Sequence, residues 1–380
     1  MSKVKELNKE MEDIDKKISE LFEKRMDLAA DVKKNIEKGK MVPADMPSHR
    51  SIVSTITAHQ NEDMASYTKV LYNTIFDLEN SYKNREAHIH SKGAEAIRKG
   101  IRETPEAFPK RATVACQGIE GSNSQMACEK MFFNPNIVFV NSFDAVFTAV
   151  EKGLCQYGML PIENSLNGSV AEVYELMKKN KFYIAKSVKM QINHTLLALS
   201  GTETSDIKDI YSHGQALGQC SEFLKKHPKI KAHSVENTAM AAKLVSEMKD
   251  KHAAAISTKS CAELYGLNNL SETIQNNDNN YTRFICISKE MEIYPGANKT
   301  SLMFTTPNQP GALYGILSKF AALGVNLTKL ESRPIPGKDF EFMFHVDLDS
   351  SVFSEDVLNL ICELENGPES FVFLGSYMEI

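Results

Sequence analysis

Apolar residues at Leu7, Met11, Ile14, Ile18, Leu21, Leu28, Val32 and Ile36 recur three, four or seven positions apart. That spacing predicts one long amphipathic helix over 4–38, roughly 50 Å from end to end at about 1.5 Å per residue. A stripe of that length cannot bury itself, so the helix needs a partner surface. Pro43 and Pro47 are the expected stop, and 51–84 reads as two further helices, the later carrying Val70, Leu71, Ile75 and Leu78. The first segment, 1–92, is therefore expected to be an all-α three-helix domain.

The period then changes. Residues 93–110 are charged and contain glycine, and they read as a linker with some helical character at 94–99. Over 111–290 apolar runs alternate with polar loops and helical patterns: 112–116 leads into Gly118-Ile119-Glu120-Gly121-Ser122-Asn123, 157–162 into Glu163-Asn164-Ser165, 207–211 into Ser212-His213-Gly214, and 253–256 into Ser257-Thr258-Lys259. Such alternation predicts an α/β domain whose length suits two lobes around a cleft. Over 299–380 the order strand, helix, strand, strand, helix, strand predicts a ferredoxin-like α+β domain. A chain of 380 residues with 42% hydrophobic residues can fill several such cores.

A formal net charge of -5 with both signs interspersed leaves no basic footprint for nucleic acid. Seven cysteines without a CxxC pair, several inside apolar runs, point away from a disulfide framework and a zinc site and toward a reducing compartment. The charged N-terminus lacks the apolar core of an export signal, and no run reaches bilayer length. A soluble cytoplasmic protein is expected, with no membrane or nucleic-acid partner and no metal.

The chemistry-bearing residues sit in the strand-to-helix loops of the central region. Backbone N–H groups and small donors gather where strands end and helices begin, a setting suited to carboxylates. Taken singly, Ser124, Ser169 and Thr238 are ordinary helix caps; together, such loops suggest a small anion held by neutral donors with Arg283 as charge partner. Gly118 and Gly121 follow a strand, yet neither GxGxxG nor GxxxxGK[ST] spacing is present, so no nucleotide cofactor is expected. His213 reads equally as a hydrogen-bonding or a structural residue. Thr282 and Arg283 open the apolar run Phe284-Ile285-Cys286-Ile287, where polar groups need a reason to be buried.

Val114 to Asn123, Pro161-Ile162-Glu163-Asn164-Ser165, Ser212-His213 with Gln215-Ala216-Leu217, Asn237-Thr238-Ala239 and Thr282-Arg283-Phe284, in this order, resemble the successive signatures of the prephenate dehydratase family. The resemblance runs from about Lys110 to the C-terminus. It implies a two-lobed fold like that of periplasmic binding proteins and cofactor-free conversion of prephenate to phenylpyruvate. It also implies Thr282 as the essential residue and Asn164, Ser165, Ser212, His213, Gln215, Thr238, Arg283 and Phe284 as substrate-binding. A hydroxyl is a poor acid, so Thr282 is expected to stabilise developing charge, with Glu163 and His213 as candidate proton donors.

Gly311-Ala312-Leu313, and Asn326-Leu327 followed by Glu331-Ser332-Arg333-Pro334, resemble the two motifs of phenylalanine-binding ACT domains. They imply feedback inhibition by L-phenylalanine bound between the ACT domains of two chains, hence a homodimer or homotetramer. The N-terminal helices resemble the chorismate mutase domain often fused to this dehydratase, with Arg25 on the apolar face. Ungapped alignment on Arg25 leaves Asn8, Ile36, Ser48, His49, Glu79 and Lys83 where that family has other residues, so only Arg25 and Asp45 persist. The expectation is a degenerate mutase domain kept for dimerisation. A fully bifunctional enzyme, an arogenate dehydratase and a non-catalytic two-lobed solute sensor remain as alternative readings.

Overall fold

The computed structural model describes residues 2–40, 47–89, 92–271, 273–335, 337, 341–365 and 370–380. In chain order the elements are α1 (Ser2–Glu37), α2 (His49–Thr57), α3 (Glu62–Ile89), α4 (Lys92–Glu103), β1 (Thr113–Gln117), α5 (Asn123–Met131), β2 (Asn136–Val140) and α6 (Phe143–Glu151). There follow β3 (Tyr157–Asn164), β4 (Gly168–Ser169), α7 (Ala171–Asn180), β5 (Tyr183–Gln191), β6 (Thr195–Ala198), β7 (Asp209–His213), α8 (Gly214–Gln219), α9 (Ser221–Lys226), β8 (Lys231–Val235) and α10 (Thr238–Met248). The last are β9 (Ala253–Ser257), α11 (Lys259–Leu264), β10 (Asn268–Ser271), β11 (Tyr281–Ser288), β12 (Lys299–Thr305), α12 (Ala312–Ala322), β13 (Leu327–Pro334), β14 (Phe342–Leu348), α13 (Glu355–Glu365) and β15 (Phe371–Glu379). The chain divides into two compact units, Met1–Ile97 with Met303–Val346 and Val352–Phe371, and Arg98–Leu302 with Asp347–Ser351 and Val372–Ile380.

In the first unit α1 and α2 pack on α3, and α3 packs on α12 and α13. Helix α1 stops at Glu37 because Gly39, at φ +67, turns the chain into the left-handed region that glycine adopts without penalty. The stop therefore precedes Pro47, and Pro43 lies outside the described residues. Val4, Leu7, Met11, Ile14, Ile18, Leu21 and Leu28 stay 50% to 66% exposed, so the α1 stripe is not consumed by its own chain. The expected linker is largely helix α4. Ser81 Oγ of α3 donates to Glu363 Oε1 (2.5 Å) and Oε2 (2.6 Å), and Lys319 pairs with the same carboxylate. The element order β12-α12-β13-β14-α13-β15, with strand order β13-β14-β12-β15, is the expected ferredoxin-like arrangement.

The second unit holds two sheets, ordered β15-β5-β11-β3-β1-β2 and β10-β6-β9-β7-β8. The chain leaves the first sheet after β5 and returns to it at β11, so the α/β region has two lobes. In β9, Ala254 and Ile256 join one core cluster while Ala253 and Ala255 join another, showing that helices cover both faces of the second sheet. All seven cysteines are buried free thiols. Strand β11 lies antiparallel between β3 and β5, with Thr282 opposite Asn164 and Met190, and Arg283 opposite Glu163 and Lys189. Phe284 and Cys286 enter the first-lobe core, and the two-residue period places Thr282 on their side of the sheet and Arg283 on the other.

Gly375 in β15 sits at φ +139, and a Cβ there would lie 2.5 Å from the Ile184 carbonyl oxygen. Backbone on both sides of the contact cannot yield cheaply. Gly375→Ala is expected to destabilise the protein by about 2 kcal/mol or more, seen as a lowered melting temperature in differential scanning calorimetry.

Candidate active site

A cavity of about 440 Å³ opens in the second unit, walled by the ends of β1, β3, β7 and β11 and the starts of α5, α8 and α10. Asn164, His213, Gln215, Thr238, Thr282 and Phe284 all line it, joined by Gln117, Ser122, Asn123, Ser124, His194, Gln219, Glu236, Asn237 and Asn280. None of its lining residues is a lysine or arginine.

The caps of α5 and α10 are not Ser124 and Thr238 but residues just before them, and the start of α7 beside Ser169 has Val170 at the cap position with no side-chain bond. Ser122 Oγ accepts from Gln125 N (3.4 Å), and Asn237 Oδ1 accepts from Met240 N (2.7 Å). Ser124 and Thr238 are thereby spared cap duty and face the cavity. The exposed N–H groups and positive dipole ends of α5 and α10 give the wall an anion-favouring potential without a formal charge.

Asn164 fixes the hydroxyl of Thr282. Its Oδ1 accepts from Leu166 N and Asn167 N, both at 3.0 Å, which settles which side of the amide is oxygen. Its Nδ2 therefore faces Thr282 and donates to Oγ1 at 2.9 Å, with Asn280 Oδ1 at 2.8 Å as a second acceptor. With a lone pair of Oγ1 filled in this way, the Thr282 hydrogen remains available to a ligand in the cavity.

Gln219 Oε1 accepts from Asn280 Nδ2 (3.0 Å) and lies 2.8 Å from His194 Nε2. An acceptor there places the His194 proton on Nε2 and leaves Nδ1 unprotonated. Burial lowers the His194 pKa from its ordinary value, more than the bond to Gln219 raises it, so the ring is neutral. Sequence reasoning missed His194, Gln219 and Glu236, because a lone His, Gln or Glu outside any motif carries no signal.

Three expected substrate contacts lie elsewhere. Ser165 Oγ donates to Asn279 O (2.7 Å) and accepts from Tyr281 N (2.9 Å), stapling the loop that precedes β11. Ser212 is fully buried and donates to Ile256 O (2.6 Å). Arg283 points to the face away from the cavity, where its Nη2 is 2.5 Å from Asp347 Oδ2 and 3.1 Å from Glu163 Oε2. Burial opposes its charge, but Tyr377, Asp347, Tyr174 and Glu163 outweigh that and keep it protonated. Glu163, a candidate proton donor from sequence, is thus directed at Arg283, and the expected charge partner for the anion is absent from the cavity wall.

In the first unit Gly311 adopts φ +85 as the N-cap of α12, and Glu331 and Arg333 pair at 2.6 Å along β13. Ala312, Leu313 and Leu327 are half-buried, while Asn326 and Ser332 are exposed. Arg25 Nη2 is paired with Glu79 Oε2 at 2.7 Å, and Glu79 also accepts from Lys83 Nζ at 2.9 Å. Its guanidinium lies 5.4 Å from the Phe76 ring centroid, and the His49 ring stacks on Phe76 with centroids 4.0 Å apart. Asp45 lies outside the described residues. No helix among the described residues is long and apolar enough to cross a membrane.

Residues 114–292 match the family model of prephenate dehydratase, and residues 300–357 match that of the ACT domain. An Arabidopsis thaliana arogenate dehydratase/prephenate dehydratase is 38% identical over 279 residues, covering 70% of this chain and 73% of the plant protein. A bifunctional chorismate mutase/prephenate dehydratase from Aquifex aeolicus is 30% identical over 379 residues, covering 99% of this chain and 98% of that protein. The crystal structure of an Arthrobacter aurescens prephenate dehydratase in complex with L-Phe superposes with a TM-score of 0.64 at 31% identity, covering 70% of this chain and 89% of that one. A cavity at the meeting of two α/β lobes, the matched family models and near full-length similarity to a fused enzyme lead to one conclusion: this chain belongs to the prephenate dehydratase family, with a C-terminal ACT domain.

Proposed function

We propose that the chain converts prephenate to phenylpyruvate in the 440 Å³ cavity, is inhibited by phenylalanine through its ACT domain, and has lost chorismate mutase turnover. The observation that carries the first part is the Asn164–Thr282 hydrogen bond, which turns a hydroxyl hydrogen toward a cavity without cationic side chains. In the reaction the bond between the ring and its carboxylate breaks, the carboxylate leaves as CO2, the bonding electrons complete the aromatic ring, and the ring hydroxyl departs as hydroxide to be protonated to water. Thr282 donates to that departing oxygen and stabilises its charge. His213 and Glu236 are the wall's titratable groups able to deliver the final proton, whereas neutral His194 contributes a fixed dipole. The side-chain carboxylate of the substrate is held by the α5 and α10 ends together with Ser124 and Thr238.

Thr282→Ala is expected to lower kcat by ~10² or more with the fold intact, and Thr282→Ser to retain most of the activity. Phenylpyruvate formation followed by absorbance measures both, with arogenate supplied in parallel. Wild-type turnover in the alanine variant would remove Thr282 from the mechanism.

The Arg25–Glu79–Lys83 cluster supports loss of mutase chemistry, since the guanidinium that would clamp a dicarboxylate is already engaged by the Glu79 carboxylate. Each missing charged contact weakens the transition-state complex by about 2 to 4 kcal/mol. The exposed α1 stripe, continued on α3 by Met64, Tyr67, Val70 and Leu71, supports a role in holding two copies together. Chorismate consumption is expected at background. Ile14→Glu with Ile18→Glu is expected to shift the sedimenting species to a smaller oligomer. Mutase turnover matching dehydratase turnover, or an unchanged sedimentation coefficient, would contradict the corresponding half.

The effector reading rests on the left-handed Gly311 at the start of α12 and on the Glu331–Arg333 pair of β13. A β-branched residue is strained at φ +85 and would reshape the loop. Gly311→Val is expected to weaken phenylalanine binding at least tenfold in titration calorimetry; unchanged affinity would place the sensor elsewhere.

A further inference from the structure

Arg283 is 9% exposed, and the catalytic cavity does not use it. It occupies the rung of the β3–β11 ladder next to that of the candidate catalytic hydroxyl. Thr282 faces Asn164 and Arg283 faces Glu163 in the same register. On the cavity side Asn164 Nδ2 donates to Thr282 Oγ1 at 2.9 Å, and on the far side Arg283 Nη2 meets Glu163 Oε2 at 3.1 Å. The two strands are thus clamped on both faces at the point where the hydroxyl is aimed. A β-bulge follows at once: Arg283 and Phe284 are consecutive on β11, but their β3 partners are Glu163 and Pro161, so Ile162 is the extra residue on β3.

The far side of the clamp is completed from the C-terminal region. Asp347, 4% exposed and inside the segment matched by the ACT model, approaches Arg283 Nη2 at 2.5 Å through Oδ2. Its Oδ1 accepts from Ser301 Oγ at 2.5 Å, and Ser301 lies 2.7 Å from the Tyr377 hydroxyl. Glu379 Oε2 lies 3.7 Å from Arg283 Nη1, while Glu379 Oε1 lies 3.3 Å from Lys299 Nζ. Glu163, Asp347 and Glu379 thus share the Arg283 guanidinium, Glu379 also meets Lys299, and Arg283 Nε has no hydrogen-bond acceptor. One Nη2 group divided between Glu163 and Asp347 is sensitive to where Asp347 stands, because a weaker Asp347 contact leaves the guanidinium to Glu163 and changes the load on the rung.

We infer that Arg283 is a positioning residue: the Asp347–Arg283–Glu163 bridge sets the aim of the Thr282 hydroxyl, and through it the ACT segment governs dehydratase turnover. The part concerning phenylalanine rests on the effector reading above; the part concerning turnover does not. A ligand on the ACT domain changes turnover by this route only if it favours a different placement of Asp347.

Asp347→Asn tests it, keeping the size of the side chain while removing its charge. The expected result is a kcat lowered at least tenfold with KM within about threefold of wild type, since the change acts on aim and not on substrate affinity. Phenylalanine affinity by titration calorimetry is expected to stay within about twofold, while the fractional inhibition at saturating phenylalanine shrinks. Ser301→Ala, which retains the charge pair but removes the Ser301 donor from Asp347 Oδ1, is expected to move kcat and inhibition in the same directions by a smaller factor, and decides the matter if Asp347→Asn does not fold. Wild-type kcat and wild-type inhibition in the folded variants would overturn the inference, as would a rise in KM at constant kcat. If wild-type protein binds no phenylalanine, the effector reading fails and the kcat arm alone decides the positioning role.

Discussion

The period-two alternation of β11, pinned between β3 and β5, is the constraint on which the rest depends. Because successive side chains point to opposite faces, one strand delivers Thr282 to the cavity and Arg283 to the buried charge cluster. A slip of one residue would exchange them, placing a guanidinium in the cavity and a hydroxyl among carboxylates. The register is held from both sides. On β3 the Asn164 and Glu163 side chains each engage the residue opposite them, and on β5 the ladder continues through Ser187 and Val188 into the first-lobe core.

For the reaction proposed in this cavity, which releases the ring carboxylate as CO2, a wall without lysine or arginine has a chemical logic. A buried arginine on that carboxylate would stabilise the substrate more than the transition state, in which its charge is passing into the ring and out with the hydroxyl. Neutral donors and helix ends bind an anion more loosely and can be distributed toward the oxygen where charge accumulates. The neutral His194 ring and the doubly held Asn164 amide are fixed before a ligand arrives, so little reorganisation is needed when charge moves.

The two changes of period along the chain were legible in the sequence, and so were the α/β alternation and the ferredoxin-like order, because hydrophobic spacing reports which faces are buried. Thr282, Asn164, His213, Gln215, Thr238 and Phe284 were legible as motif members and do line one cavity. Ser165, Ser212 and Arg283 share those motifs yet face other tasks, and motif membership says nothing about which face of a strand a residue occupies. That distinction needed the register: Ser212 is spent on the Ile256 carbonyl of a neighbouring strand, and Arg283 on carboxylates, one of them 64 positions away. Asp347 itself was invisible, since a single Asp near a strand end reads as surface until its partner across the fold is known.

The N-terminal helices carry the same lesson at a larger scale. Their apolar stripe predicted burial, but in the single chain it remains exposed along most of α1, while the polar side of the bundle is satisfied internally by the Arg25–Glu79–Lys83 cluster. A substrate pocket needs the reverse arrangement, with its cations left unpaired for an incoming dicarboxylate. Exposed apolar area of this length is poorly tolerated in a free monomer and well suited to a second copy. Meanwhile α3 is tied to α12 and α13 through Ser81, Lys319 and Glu363, so a helix pair joined across two chains would also bear on the helix that starts at Gly311.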